Sequence, residues 1–454
     1  MVTSLAISSA TRFAPSRASL GRPTRSNTGR QVPIPRCRAS ESDVACSKSL
    51  IEKVTDAASK CLIGATAAAM VLTPATFSLP DQLIPQAEAR KSNLPGSDPK
   101  KNAKGLLRDA LPIDNKQIRM IQRELESVAE ALRVPGSKAL GPVQRSVRKA
   151  ESILRDKRQN IVADLAEDKA EAGMAAISGL EAALAEFDDA IAREDKQEVP
   201  LIQQKCLDYV GDIEEAMVKK FPFEVPAEYS NLPQLKGRAT IQVELKFNKA
   251  TDNIPGGSMT IVVDGYSAPI TSGNFVDLVN RGFYNGMDVQ RADGFVVQTG
   301  DPEGPAVGFV DPRTKETRTI PLEVLVEGDK EPTYGDTLED LGRFTDQPVL
   351  PFNAFGTLAM ARAETDANSA SSQIFFLLKE SELTPSGANL LDGRYAVFGY
   401  ITEGADLLTE CNTGDKFVSM KVTKGLENLQ LPDTNAMQME DGQPQGAEAT
   451  VRTE

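Results

Sequence analysis

Three prolines, Pro222, Pro226 and Pro233, fall between Phe221 and Pro233. Each lacks a backbone N–H and fixes φ, so no helix can run through this stretch. On its two sides the apolar residues recur with different periods. Before it Ile118, Ile121, Leu125, Val128 and Leu132 follow one another at steps of three and four, the period of a helix face. After it Ile241, Val243, Leu245 and Phe247 alternate with Gln242, Glu244 and Lys246, the period of a half-buried strand. A chain of this kind must fold as two units, one helical and one strand-rich, with residues 222–236 as the linker.

The helical unit is expected over residues 90–221. Asp114 is a plausible N-cap for the first stripe, and Pro135-Gly136 stops it. Ile177, Leu180, Leu184, Phe187 and Ile191 form another stripe, and Val199, Ile202, Cys206, Tyr209 and Ile213 one more. Val143, Val147, Ala150 and Leu154 give a weaker fourth, continuing from Ile161. Four stripes separated by breaks near residues 135, 160 and 200 predict an antiparallel four-helix bundle. The same spacing also fits a docking face of leucine-zipper type.

In the second unit, residues 237–431, Pro255-Gly256-Gly257 reads as a turn and Thr271 to Val279 as a short helix with Phe275, Leu278 and Val279 inward. From Gly294 to Phe398 short apolar runs alternate with Gly and Pro turns, which predicts a closed antiparallel β-barrel with flanking helices. Residues 432–454 are Gln, Glu, Asp and Gly rich without periodicity, the composition of a disordered tail.

The N-terminal residues read as addresses. Met1 to Ser40 contain no acidic residue, much Ser and Thr, and seven Arg, the composition of an organelle transit peptide. In residues 41–89, Lys48, Lys53 and Lys60 precede the small apolar run Cys61 to Leu72, and Ala87-Glu88-Ala89 supplies an A-x-A cleavage site. The run is too short to span a bilayer, which needs about 20 residues, so a mature chain without a transmembrane span, starting near Arg90, is expected. Cleavage removes 10 of 51 Lys+Arg and 6 of 64 Asp+Glu, leaving 41 against 58 and a charge of −17. Such acidity excludes nucleic acid as main partner, because phosphate binding needs clustered Lys and Arg. Only Cys206 and Cys411 survive cleavage. They are expected as free thiols, with one interdomain disulfide as the alternative.

The chain has no His and no Trp. Lacking His, it cannot build a Ser-His-Asp or Cys-His triad or a His-containing zinc site. No metal and no cofactor is expected, and any chemistry must use carboxylates, Lys, Arg, Tyr, hydroxyls or backbone groups.

Four ordered segments carry a family resemblance: Gln290-Arg291 through Gln298 to Asp301, Gly356 through Ala361-Arg362, Ser371-Ser-Gln373-Ile-Phe375-Phe, and Leu391-Asp-Gly-Arg-Tyr395 to Gly399. Together they resemble the cyclophilins, the barrel-shaped peptidyl-prolyl cis-trans isomerases, over about residues 237–425. Such a catalyst must favour the twisted amide against a barrier of about 18–20 kcal/mol. An Arg donating to the prolyl nitrogen binds tightest in that twisted state, and no general base is needed. The resemblance gives Arg291 that donor role and Gln298 the role of orienting amide. It puts Phe295, Val296, Phe375 and Leu390 around the proline ring, and Ala361 and Arg362 along the groove. Three departures stand out. Arg291 to Phe295 is one residue short, Leu390 and Tyr395 replace the family's Trp and His, and Asp293 stands where it can pair with Arg291. The loop Asp301 to Phe355 is also longer than its family counterpart.

The bipartite address, bundle, linker and altered cyclophilin unit together resemble the multidomain cyclophilins of the plant thylakoid lumen. What this implies is a lumenal auxiliary factor for assembly, stability and repair of photosystem II. Its expected partners are proline-containing segments, lumenal loops of photosystem II subunits and a membrane-associated protein phosphatase. Isomerase activity is expected to be weak or lost, with the bundle lying across the binding surface. The alternative is an active isomerase that accelerates folding in the lumen.

Overall fold

The computed structural model describes residues 101–133, 139–248, 255–379 and 389–432. The two address segments, with the apolar run 61–72, the break at Pro135-Gly136 and the tail from residue 433 lie outside them. Among the described residues no helix is long and apolar enough to cross a membrane.

Among the described residues, six α-helices precede the prolines: α1 Ala103–Asp109, α2 Lys116–Leu132, α3 Leu140–Asp156, α4 Arg158–Ala163, α5 Ala170–Ala192 and α6 Glu198–Ala216. The cap of α2 is Asn115, one residue beyond the expected Asp114: its side chain accepts the Ile118 N–H at 3.0 Å and donates to Asp164 at 2.7 Å. Pro200 does not break a helix; it sits in the first turn of α6, where no intrahelical donor is lost. Contacts run α2–α3, α3–α5, α5–α6 and α6–α2, a closed ring of four. Ile118, Ile121, Leu125 and Val128 are fully buried in it, so that stripe is bundle core and offers no zipper face. In α6 the inward position is Val210; its neighbour Tyr209 lies over Gly179, which has no side chain to obstruct the ring.

Helix α1 does not join this core. Its Leu106 and Leu107, with Ala110, share an apolar cluster with the strand-rich unit. Seven residues are too few for a helix to persist by itself in water, and burying the two leucines supplies about 1.5–3 kcal/mol each. Its polar side faces the bundle. Arg108 pairs with Glu126 at 3.3 Å, Gln122 donates to Asp109 at 2.8 Å, and Arg119 donates to the carbonyls of Arg108 and Leu111 at 2.9 and 2.8 Å. The proline-rich stretch is likewise no free tether. Val225, Tyr229 and Leu232 pack on the second core, and Phe221 stacks on Tyr266 at 6.4 Å.

The second unit contains β1 Gln234–Leu235, β2 Arg238–Lys246, β3 Gly256–Asp264, α7 Pro269–Asn280, β4 Met287–Asp288, β5 Arg291–Ala292, β6 Val296–Thr299, β7 Glu323–Val324, β8 Thr333–Tyr334, β9 Thr357–Met360, β10 Ile374–Leu377, β11 Val397–Glu403, β12 Lys416–Lys424 and β13 Leu429–Gln430. Nine of the strands form one sheet in the order β4-β12-β2-β3-β11-β9-β10-β6-β5. Every pairing is antiparallel, but β4 and β5 do not pair with each other, so the sheet is curled and open where a closed barrel is expected from the sequence. The reason is local. The two edge strands have two residues each and are consecutive in the chain, so Val289 bonds to Asp415 while Gln290 bonds to Gln298, and no ladder joins the edges. Gly256 and Gly257 belong to β3 and make no turn; at Gly256, where φ is 146°, a Cβ would lie 2.1 Å from the Leu245 carbonyl oxygen. Helix α7 covers one end of the sheet with Phe275, Leu278 and Val279 inward as expected. Cys206 and Cys411 are free thiols in separate cores, and burial pushes both up to about 12.

Arg238 fastens α1 to the sheet. It faces Asp264 across β2 and β3, pairs with that fully buried carboxylate at 3.2 Å, and donates to the Leu107 carbonyl. Removing one partner of a buried pair costs about 3–5 kcal/mol. Arg238→Ala should lower stability by that amount in urea melts and split the transition of the two units; a single transition at the wild-type midpoint would show that Arg238 does not join them.

Candidate active site

Strand pairing builds the site on the outer face of the sheet. Arg291 stands opposite Gln298, Gln298 opposite Phe375, Phe375 opposite Ala359, and Ala359 opposite Val397. Directly opposed residues on a sheet project to the same face. Val296 shares it with Gln298, two residues on. The intervening Val297 and Phe376 point into the core.

The turn between β5 and β6 explains the short spacing. Asp293 Oδ1 accepts the N–H groups of Phe295 and Val296 at 3.0 Å each, and Gly294 takes a left-handed φ of 75°. The other oxygen, Oδ2, accepts from Arg291 Nε at 2.7 Å and Nη2 at 2.5 Å. Partial burial pushes the Asp293 carboxyl up, but the bonds from Val296, Arg291 and Phe295 outweigh it and hold it below its ordinary value. Gln298 is engaged elsewhere: its amide donates at 2.9 Å to Gln373, which in turn donates to Asp301 and the Val307 carbonyl.

The apolar part of the site is closed. Val296 is 0%, Phe375 1%, Ala361 6% and Tyr395 8% exposed. Tyr395 meets Phe375 edge-on at 5.5 Å, and burial pushes its hydroxyl up. Phe295 is half-buried at the rim and packs against the same cluster. Arg362 is buried, and its guanidinium donates to the carbonyls of Arg394, Ala363 and Glu364 and lies over the Tyr395 ring at 5.1 Å. Its neighbour Ala361 gives its N–H to Gln373. These two groove positions therefore support Tyr395 and β10, and that N–H is already spent. Leu390 is 44% exposed and stands outside the cluster; Leu391 packs in it.

Three further contributors escape a reading of the sequence. Gln373 and Leu377 have a signal, since they alternate with Phe375 on one strand. Phe352, stacked on Phe375 at 6.0 Å and 8°, comes from an irregular segment without periodicity. Asp392 fixes it by accepting the Phe352 N–H at 2.9 Å, while Asn389 donates to the Phe352 carbonyl at 3.1 Å.

An Arg–Gln pair beside a Phe, Val, Ala and Tyr patch, on the outside of a curled antiparallel sheet, places the second unit among the cyclophilins. The family model described as cyclophilin type peptidyl-prolyl cis-trans isomerase/CLD matches residues 246–427. One described as peptidyl-prolyl cis-trans isomerase CYP38-like, PsbQ-like domain, matches residues 102–218. Among similar proteins, the chloroplastic peptidyl-prolyl cis-trans isomerase CYP38 of Arabidopsis thaliana is 51% identical, over 80% of this chain and 82% of its own length. A putative thylakoid lumen peptidyl-prolyl cis-trans isomerase of Synechocystis is 46% identical, over 71% and 83%. Chloroplastic CYP37 of Arabidopsis thaliana is 32% identical, over 72% and 71%. The chain belongs to the CYP38-like cyclophilins, which join a PsbQ-like helical domain to a cyclophilin domain. Its location is the chloroplast thylakoid lumen.

Three buried carboxyls give the fold a pH dependence. Burial pushes Asp392 up to about 6, and Glu323 and Glu214 up to about 7. Glu323, from the long inserted loop, accepts the Ile270 and Thr271 N–H groups and so caps α7; Glu214 pairs with Arg119 at 3.2 Å. Each takes up its proton in the folded chain before it does in the unfolded one, so their contribution is full below the ordinary carboxyl range and lost as pH rises through 7. Asp293 and Asp311 are depressed and act in the opposite sense, only below about pH 4. Calorimetry should therefore give a higher Tm at pH 5 than at pH 8, with the difference reduced in Glu214→Gln/Glu323→Gln. A Tm that climbs steadily from pH 5 to 8 would contradict this.

Proposed function

We propose that this chain is a lumenal auxiliary factor for assembly, stability and repair of photosystem II, whose cyclophilin site binds proline-containing segments with weak or lost isomerase activity. Its clients in this reading are lumenal loops of photosystem II subunits, with a membrane-associated protein phosphatase as a second partner. The working form starts near Arg90, after removal of residues 1–40 and 41–89.

One observation carries the weak-activity reading. Val296, Ala361, Phe375 and Tyr395 lie in the same buried cluster as Leu106, Leu107 and Ala110 of the α1 segment. A proline ring needs those side chains open to solvent, and Phe375 is 1% exposed. The donor side is compromised as well, because Asp293 holds Arg291. A displacement of about 1 Å in a catalytic group can cost 100-fold. The alternative, an active isomerase, is favoured by the register that sets Arg291 opposite Gln298 and Gln298 opposite Phe375. There Arg291 donates to the prolyl nitrogen as resonance is lost, with the apolar row gripping the ring.

A protease-coupled proline-peptide assay on residues 90–454 separates the two. Turnover close to background is expected, while Leu106→Asp/Leu107→Asp, which loosens α1, should bind proline peptides at least about fivefold tighter, about 1 kcal/mol. Rapid wild-type turnover that disappears in Arg291→Ala would establish the active enzyme. Unchanged affinity in the double variant would remove the masking role of α1.

A further inference from the structure

The bond pattern around Asp293 points to a substrate class for this same proline site, and the inference rests on that reading. The two oxygens of Asp293 are divided: Oδ1 takes the backbone N–H groups of Phe295 and Val296, and Oδ2 takes both Nε and Nη2 of Arg291. The Nε–Nη2 edge of the guanidinium is thereby bound to a neighbour two residues away. Neither partner is sealed: the side chains are 29% and 40% exposed, so a cation arriving from solvent can compete for Oδ2. The surroundings suit one. Asp301 is exposed, accepts from Gln373 and carries no ion pair among the described residues. The chain as a whole carries −13. Of the cations around Tyr395, Arg362 donates through Nε and Nη1 to three backbone carbonyls and Arg394 pairs with Glu339.

We infer that Asp293 is a charge lock on Arg291, and that the site selects proline segments with a Lys or Arg beside the proline, whose cation takes over Asp293 and frees Arg291. A partly exposed pair is a weak lock, worth roughly a threefold to fivefold effect, which suits a contact that a client must break. An acidic or neutral segment leaves the lock closed.

The test uses residues 90–454 and three peptides that differ beside a central Pro: Lys, Gln and Glu. At low salt the Lys peptide should bind about threefold to fivefold tighter than the Gln peptide by calorimetry, and the Glu peptide weakest, with the spread shrinking at about 0.5 M salt. Asp293→Asn keeps an oxygen for Phe295 and Val296 and so keeps the turn, but drops the charge. It should abolish the Lys preference and raise affinity for the Gln peptide by a similar factor. Equal affinities for the three peptides, a Lys preference that survives in Asp293→Asn, or a loss of binding in Asp293→Asn matching that in Arg291→Ala would each overturn the lock. A control separates the two levels. If replacing the central Pro by Ala leaves binding of every peptide unchanged, the proline-site reading fails and the lock with it; if Pro remains essential while charge is ignored, the lock alone fails.

Discussion

A short helix with two unlike faces holds this molecule together. Leu106, Leu107 and Ala110 enter the cluster on the outer face of the sheet, while Arg108 and Asp109 bind Glu126 and Gln122 on the bundle. Neither unit could supply this contact alone, because the helix is too short to form without both. Arg238 adds a fixed point by tying the Leu107 carbonyl to buried Asp264. The proline-rich stretch, packed through Val225, Tyr229 and Leu232, cannot let the units drift apart.

That same outer face is where the cyclophilin row lies. Alternation along β6 and β10 leaves one set of side chains for the core and the other for the site, so Phe375 faces out and Phe376 in. An outward apolar face must bind a ligand or be covered. Here α1 packs against it at β11, and Phe352, held on Asp392, stacks on Phe375. The polar end of the row is satisfied in the same manner, Arg291 by Asp293 and Gln298 by Gln373. The groups that the proposed peptide would engage thus already have partners within the chain.

The sequence made legible whatever depends on period. The stripes of α2, α3 and α5 and the face of β2 follow from spacing, as does the inward side of α7. Tyr209 and Val210 both fit helical spacing, and both pack on the bundle core, Val210 fully buried and Tyr209 at its edge over Gly179. The closed barrel failed on two-residue edge strands, which have no period to read. In the site, Arg291, Gln298 and Phe375 were visible as motif residues and Asp293 as a departure from the motif. Leu390 and Leu391, adjacent in a turn, cannot be told apart by composition, and only packing shows that Leu391 enters the apolar cluster while Leu390 stays exposed. The seating of α1 was invisible, since Leu106-Leu107 in seven residues carries no signature of which unit it will join. Tertiary packing settles such a segment.

Hydrogen exchange on the intact chain tests the seal most directly, because it reads α1 without perturbing it. If α1 covers the sheet as one cooperative piece, the amides of Leu106 to Ala110 should be protected as strongly as those of β11 and should lose that protection, with β11 keeping its own, when a proline peptide saturates the site. Exchange of these amides within seconds in the peptide-free chain, with β11 still protected, would contradict the account.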